Sequence, residues 1–414
     1  MSRGRKGRVS LEEFVENVRQ SLDAHEADAI ALRRRIHLQP ELAWAEEKTA
    51  SAVTEALAPL TVEQVAGTGL LVRVGDMSLP AIALRAELDA LPIVERSGSP
   101  FASTNGAMHA CGHDVHVAAL TLLVRAFAAT ASTCDPPAAL VAIFQPSEET
   151  SPSGARSVIE SGQLDAHQIR AVAAAHVHSR VPWGVVTTGN GAINAGADSF
   201  TIVVTGFGGH GGYPHRTHDP VLALSQIVVS LQHIISRRLD PMHPAVLSVT
   251  RLNAGTAANV IPDYAEAHGT LRLLDRGDRA TALELMTTAA QSVAAAYGCE
   301  ARVDVEEGDP VLVNDSDLVA AVEPWLTHFG LRTAEPMRSC GADDFSFYGN
   351  RSPSLMMFVG VEGHCGTLDG ESGTLDEGDH EPGLHHARFL PDEGAIALTA
   401  RAMLAAWSGA VTSL

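Results

Sequence analysis

The sequence predicts an α/β protein of two domains: an α/β layer domain with a mostly parallel sheet, and an inserted α+β domain of ferredoxin-like pattern. Three observations carry this. At 414 residues the chain is long for one core. Short apolar strands alternate with helical stretches through roughly the first 190 residues. From about Asp198 the rhythm changes to β-α-β-β-α-β.

Ser10 with Glu13 makes a capping-box pattern that opens an amphipathic helix, with Phe14, Val18 and Leu22 on one face. "GLLVRVG", "AIALRAELD" and "ALVAIFQ" follow as strands, "VHVAALTLLVRAFAATA" reads as a helix, and another helix starts at Ser153. Sites in such sheets lie beyond the carboxyl ends of the strands. In the inserted domain, placed at 191–307, "SFTIVVTG" is a strand and "DPVLALSQIVVSLQHIISRRL" a helix. "AVLSVTRLNAG" and "AEAHGTLRLLD" are strands, "RATALELMTTAAQSVAAAYG" a helix and "EARVDVEEG" the last strand. The stretches 1–190 and 308–414 make up the first domain, with "LMMFVG" as a late strand.

A formal charge of -20 argues against a nucleic-acid or anionic-membrane partner, because both reward an excess of Lys and Arg. Handling of a small molecule fits better. Five scattered cysteines do not form a disulfide framework and point to the reducing cytoplasm. The basic start "MSRGRKGRVS" is followed by "LEEFVENVRQ" where a signal peptide would need an apolar run, and no stretch is expected to reach membrane-spanning length.

The chemistry concentrates in "MHACGHDVH", 108–116. If this segment is extended, His109, Cys111 and His113 share one face. Thiolate, imidazole and carboxylate together suit zinc and its first-row neighbours, whereas calcium and magnesium want oxygen. Three further groups stand near probable strand ends: Glu148 and Glu149 in "FQPSEE", His176 and His178 in "AAAHVHS", and His385 and His386 in "GLHHARF". Each alone has a bland reading as a surface histidine or a solvated acidic pair. Adjacent side chains are expected to diverge, so one of the two glutamates can bind metal while the other faces water.

"RRRIHLQPELAWAEEKT", "ALRAELDALP", "MHACGHDVH", "FQPSEE", "GGHGGYPH" and "NVIPD" resemble, in order, the motifs of the metal-dependent amidohydrolase branch of the aminoacylase and carboxypeptidase superfamily. That branch includes hippurate hydrolases, N-acyl-amino-acid deacylases and hydrolases of indoleacetyl-amino-acid conjugates. The resemblance runs from about Leu32 to Phe389. It implies two divalent ions per subunit (Zn, Mn or Co) on the larger domain, and a lid domain that also forms a homodimer. By position it implies Cys111, His113, Glu149, His176 and His385 as metal ligands, Glu148 as general base and Asp89 as a support. Glu87 stands where relatives usually have aspartate. In the lid, His210 is implied to reach a partner subunit's site and stabilise the oxyanion, while Asn259 and Arg272 grip the substrate carboxylate.

Two departures from the pattern stand out: Ala387 replaces the usual proline after "LHH", and the acidic connection 361–383 is longer than in relatives. It reads as a surface loop dispensable for the chemistry, although His364, Cys365 and His380 could add metal contacts. The implied activity is hydrolysis of an N-acyl amino acid by activated water. A dipeptidase or carboxypeptidase using the same site, or a binding protein with a dead site, stays open.

Overall fold

The computed structural model describes residues 9–365 and 382–414, so His380 and most of the acidic connection lie outside the described residues. The chain divides into two compact units. One comprises Met1–Gly191, Val313–Met337 and Phe347–Leu414; the other comprises Ala192–Leu312 and Arg338–Ser346.

Among the described residues, the first unit carries an eight-stranded sheet. Its order is Glu63–Val65, Gly69–Val74, Ala139–Gln145, Ala81–Glu87, Ile169–Pro182, Ser354–Glu362, Val185–Thr187 and Arg332–Thr333. Ala81–Glu87 runs parallel to both Ala139–Gln145 and Ile169–Pro182, and Ser354–Glu362 also runs parallel to Ile169–Pro182. Every residue of Ala81–Glu87 and Ala139–Gln145 is buried, which explains why both read as unbroken apolar runs rather than alternating ones.

Helices Leu11–Asp23, Glu26–Leu38, His113–Thr133 and Gly394–Thr412 pack into the same core, where Phe14, Phe127 and Trp407 meet with ring centroids 4.9–5.9 Å apart. The expected cap forms, Ser10 Oγ accepting the Glu13 N–H at 3.1 Å. The expectation that nothing reaches membrane-spanning length needs correction. His113–Thr133 and Gly394–Thr412 are long and apolar enough by composition, but 72% of each apolar window is buried inside the fold, as core helices must be.

The second unit has a four-stranded antiparallel sheet, in the order Ala245–Ala254, Tyr264–Leu273, Gly196–Thr205, Glu300–Glu307. Helices Pro220–Arg237 and Asp278–Ala296 lay Ala223, Ile227, Leu231, Met286 and Ala290 against Phe200, Ile202, Val204 and Leu271 to form its separate core.

Candidate metal centre

The strand Ala81–Glu87 runs out into Asp89, which is fully buried and ties two other segments together. Its Oδ2 accepts the Glu149 N–H at 2.9 Å, and its backbone carbonyl lies 2.8 Å from His113 Nδ1. His113 Nδ1 therefore donates, which leaves Nε2 as the candidate ligand atom. Nε2 is buried without a hydrogen-bond partner. His176 repeats the arrangement, with Nδ1 2.7 Å from the Val177 carbonyl and Nε2 3.5 Å from Cys111 Sγ.

His385 arrives from the far end of the chain. It has φ +65°, and its N–H donates to the Ala110 carbonyl at 2.8 Å, beside Cys111. Its Nε2 stands 3.2 Å from Glu149 Oε1. The ligand atoms of Cys111, Glu149 and His385 all lie within 4.8 Å of one another, as do those of His113, Glu148 and Glu149. Buried lone pairs without donors are unfavourable, and thiol, imidazole and carboxylate facing one another form a donor set that fits zinc-like ions.

The protein's own groups favour the protonated forms of His113 and Cys111. Burial pushes His113 down, but the hydrogen bond to Asp89 and the charges of Glu87, Asp89 and Glu149 outweigh it and raise its pKa to about 10. Burial and the charges of Glu149, Glu148 and Glu87 push the Cys111 thiol well up, while burial and His116 push His176 well down. A dication reverses this logic, since a coordinating thiol gives up its proton outright.

Behind these groups stands a layer that the sequence reading did not assign. Glu87 pairs with Arg85 and, at 2.8 Å, with His116 Nδ1; His116 Nε2 accepts the Val177 N–H at 2.9 Å. Both ring nitrogens of His116 are thus engaged, so it braces the strand that carries His176 even though it lies in the same cluster as His113. Burial works against ionised Glu87, yet Arg85 and His116 hold its carboxyl well below the usual range. The available signal was spacing: His113 and His116 are three apart on a helix and share a face.

Several expectations change. His113 begins the helix His113–Thr133 after Gly112, whose φ is +86°, so the extended alternation ends there. A side chain at Gly112 would also strike Val177 Cγ2 at 2.4 Å. His109 does not join Cys111 and His113: it is buried, both ring nitrogens lack partners, and burial pushes its pKa to about 4. Glu148 and Glu149 do not diverge, because both carboxylates reach the His113 cluster. His176 lies inside the long strand Ile169–Pro182 rather than at its end, although it is beyond the last pair with the neighbouring strand, Arg85–Ala174. His364 stacks on Trp183 with centroids 4.1 Å apart, and Cys365 Sγ donates to the Val361 carbonyl, so neither joins the centre.

In the second unit, His210 pairs with Val260, and the Gly211 N–H donates to the Asn259 carbonyl at 2.8 Å. This ladder brings exposed His210 and Asn259 side by side. Arg272 does not join them. It stands opposite Val246 and Ala197, eight residues or roughly 27 Å along the strand from Tyr264, where the chain arrives from that ladder.

The chain is 35% identical over 382 residues to the N-acetyl-L-cysteine deacetylase of Bacillus subtilis (strain 168), covering 91% of this chain and 86% of that one. It is 35% identical over 400 residues to thermostable carboxypeptidase 2 of Saccharolobus solfataricus, covering 94% and 97%. The crystal structure of a dinuclear metal-binding peptidase from Bacillus subtilis, of the M20 family, matches with a TM-score of 0.80 at 30% identity, covering 95% of this chain and 100% of that one. Residues 83–388 match peptidase family M20/M25/M40, and with full-length relatives at this identity the chain belongs to that family and is a hydrolase acting on amide bonds.

Proposed function

We propose that this chain hydrolyses the amide bond of N-acyl amino acids, using two divalent ions (zinc, manganese or cobalt) held by Cys111, His113, Glu149, His176 and His385. The observation that carries the reading is the convergence of these donors, with His113 Nε2 buried among them and without a hydrogen bond. Cys111 stands near His176 and also near Glu149 and His385, and would supply a thiolate to the ions.

When bound, the ions would polarise the scissile carbonyl and make water acidic near neutral pH. Glu148 accepts the proton of the attacking water and passes it to the leaving nitrogen. Asp89 sets the tautomer of His113 and the backbone of Glu149 through the bonds described above. His210 would stabilise the oxyanion, and Asn259 and Arg272 would hold the substrate carboxylate. The separation of Arg272 from the His210–Asn259 ladder favours a homodimer in which two copies complete each site. Five free cysteines suit a cytoplasmic location.

Similarity to a carboxypeptidase supports a second reading, cleavage of peptide bonds at the same centre. Purified protein supplied with zinc, manganese or cobalt and offered N-acetyl, N-benzoyl and indoleacetyl amino acids beside dipeptides, with released amine measured, decides. Faster turnover of the N-acyl compounds is expected; preference for dipeptides would transfer the assignment to peptidase.

A further inference from the structure

Glu148 and Glu149 sit on a loop whose shape the site residues alone do not explain. Ser147 has φ +45°, a left-handed conformation unfavourable for a side-chain-bearing residue. The loop then doubles back: the Gly154 N–H donates to the Ser147 carbonyl at 2.9 Å, and a side chain at Gly154 would fall 1.7 Å from the Pro146 carbonyl oxygen. Something must hold this strained turn in place.

The turn 41–49, from the "PELAWAEEKT" stretch, grips it at two points. Glu46 is fully buried; its Oε1 accepts the Ser147 N–H at 2.9 Å, and its Oε2 accepts the Thr68 hydroxyl at 2.6 Å. Trp44, itself at φ +65°, donates its indole N–H to the Pro152 carbonyl at 3.1 Å, on the outgoing side of the loop. Glu41 secures the same turn by accepting the N–H groups of Lys48 and Thr49 at 2.8 and 2.9 Å. From the other side, Asp89 takes the Glu149 N–H. The backbone of 147–149 is thus held between two buried carboxylates, Glu46 before Glu148 and Asp89 after it.

We propose that Glu46 is a positioning residue for the general base: by accepting the Ser147 N–H it holds the left-handed turn that aims Glu148. The inference rests on Glu148 being that base. Glu46 belongs to none of the ligand-type groups among the described residues, so its loss should disturb the rate of proton transfer more than metal binding. Misplacement of a catalytic group by about 1 Å is worth up to roughly 100-fold in turnover.

The test uses the metal-loaded enzyme on its best N-acyl substrate, with kcat, KM and metal content measured for Glu46→Ala, Glu46→Gln, Glu46→Asp and Glu148→Gln. Glu46→Ala should lower kcat about 10- to 100-fold while KM and metal content stay within about twofold of the parent. Glu46→Gln, which keeps a carbonyl acceptor for Ser147, should retain most of the parent kcat. If Glu46→Ala does not fold, Glu46→Asp replaces it: one methylene shorter, it cannot reach Ser147 and should show the same loss. Parent-like kcat in the folded Ala or Asp variant, or a Gln variant as impaired as they are, overturns the inference. Full turnover by Glu148→Gln would instead show that the underlying reading of the base is wrong.

Discussion

At the residue scale the adjacent glutamates carry the sharpest distinction. Both carboxylates reach the His113 cluster, so direction alone does not separate their roles; partners do. Glu149 Oε1 faces His385 Nε2, and Glu149 shares a ligand-type group with Cys111 and His385 as well as one with His113, whereas Glu148, its Oε2 3.9 Å from His113 Nε2, joins the His113 group but not that of Cys111. Glu148→Gln should therefore keep its metal while turnover falls by about two to four orders of magnitude. Glu149→Gln should lose metal affinity along with activity. Metal analysis beside kinetics reads both, and the reverse pattern would exchange the two roles. The proposed ligand residues could be named from the sequence because each stands in a short motif. His116, Glu87 and Glu46 also stand in quoted motifs, but the partners that give His116 and Glu46 their places, Glu87 29 residues and Ser147 101 residues away, are not visible in any local pattern.

At the element scale the helix that starts with His113 is tied to the helix Glu26–Leu38 by a buried ionic network. Arg33 Nε and His37 Nδ1 both contact Asp114 Oδ2 at 2.9 Å, and His37 Nε2 lies 3.0 Å from Glu95 Oε1. Burial pushes His37 down, but Asp114 and Glu95 win and raise it to about 9. The folded pKa is above the unfolded one, near 6.5. The native state then binds more protons between these values, and stability falls as pH rises through that window. His37→Gln keeps hydrogen-bonding capacity without charge. Its stability deficit should be largest below about pH 6.5 and should shrink towards pH 9, as denaturant unfolding at stepped pH would record; a deficit constant with pH would mean that the imidazolium charge contributes nothing. The alternating strands and helices were legible because apolar runs of strand length stand between turn residues. The conformation of 109–113 was not, because Gly112 takes a left-handed turn that only tertiary packing against Val177 reveals.

At the scale of the whole molecule the proposed function uses two copies of the chain, and that can be tested directly. His210 and Asn259 share one ladder while Arg272 stands far along the next strand, so the second unit presents two separate sets of groups. Inactive His210→Ala and inactive Glu148→Gln proteins, mixed under conditions that exchange subunits, should regain part of the activity, because one mixed site receives both intact residues. An oxyanion donor of this kind is worth about two to three orders of magnitude. If mixed dimers stay dead although exchange is demonstrated, His210 does not act across subunits.

In the proposed function Cys111, His113, Glu149, His176 and His385 form a two-ion hydrolytic centre. Protein stripped by chelation and titrated with zinc, manganese or cobalt, with bound metal and release of amine from an N-acyl amino acid followed together, tests it most directly. The stripped protein should show no turnover, and recovery should saturate at two ions per chain. Full turnover by demonstrably metal-free protein would contradict it.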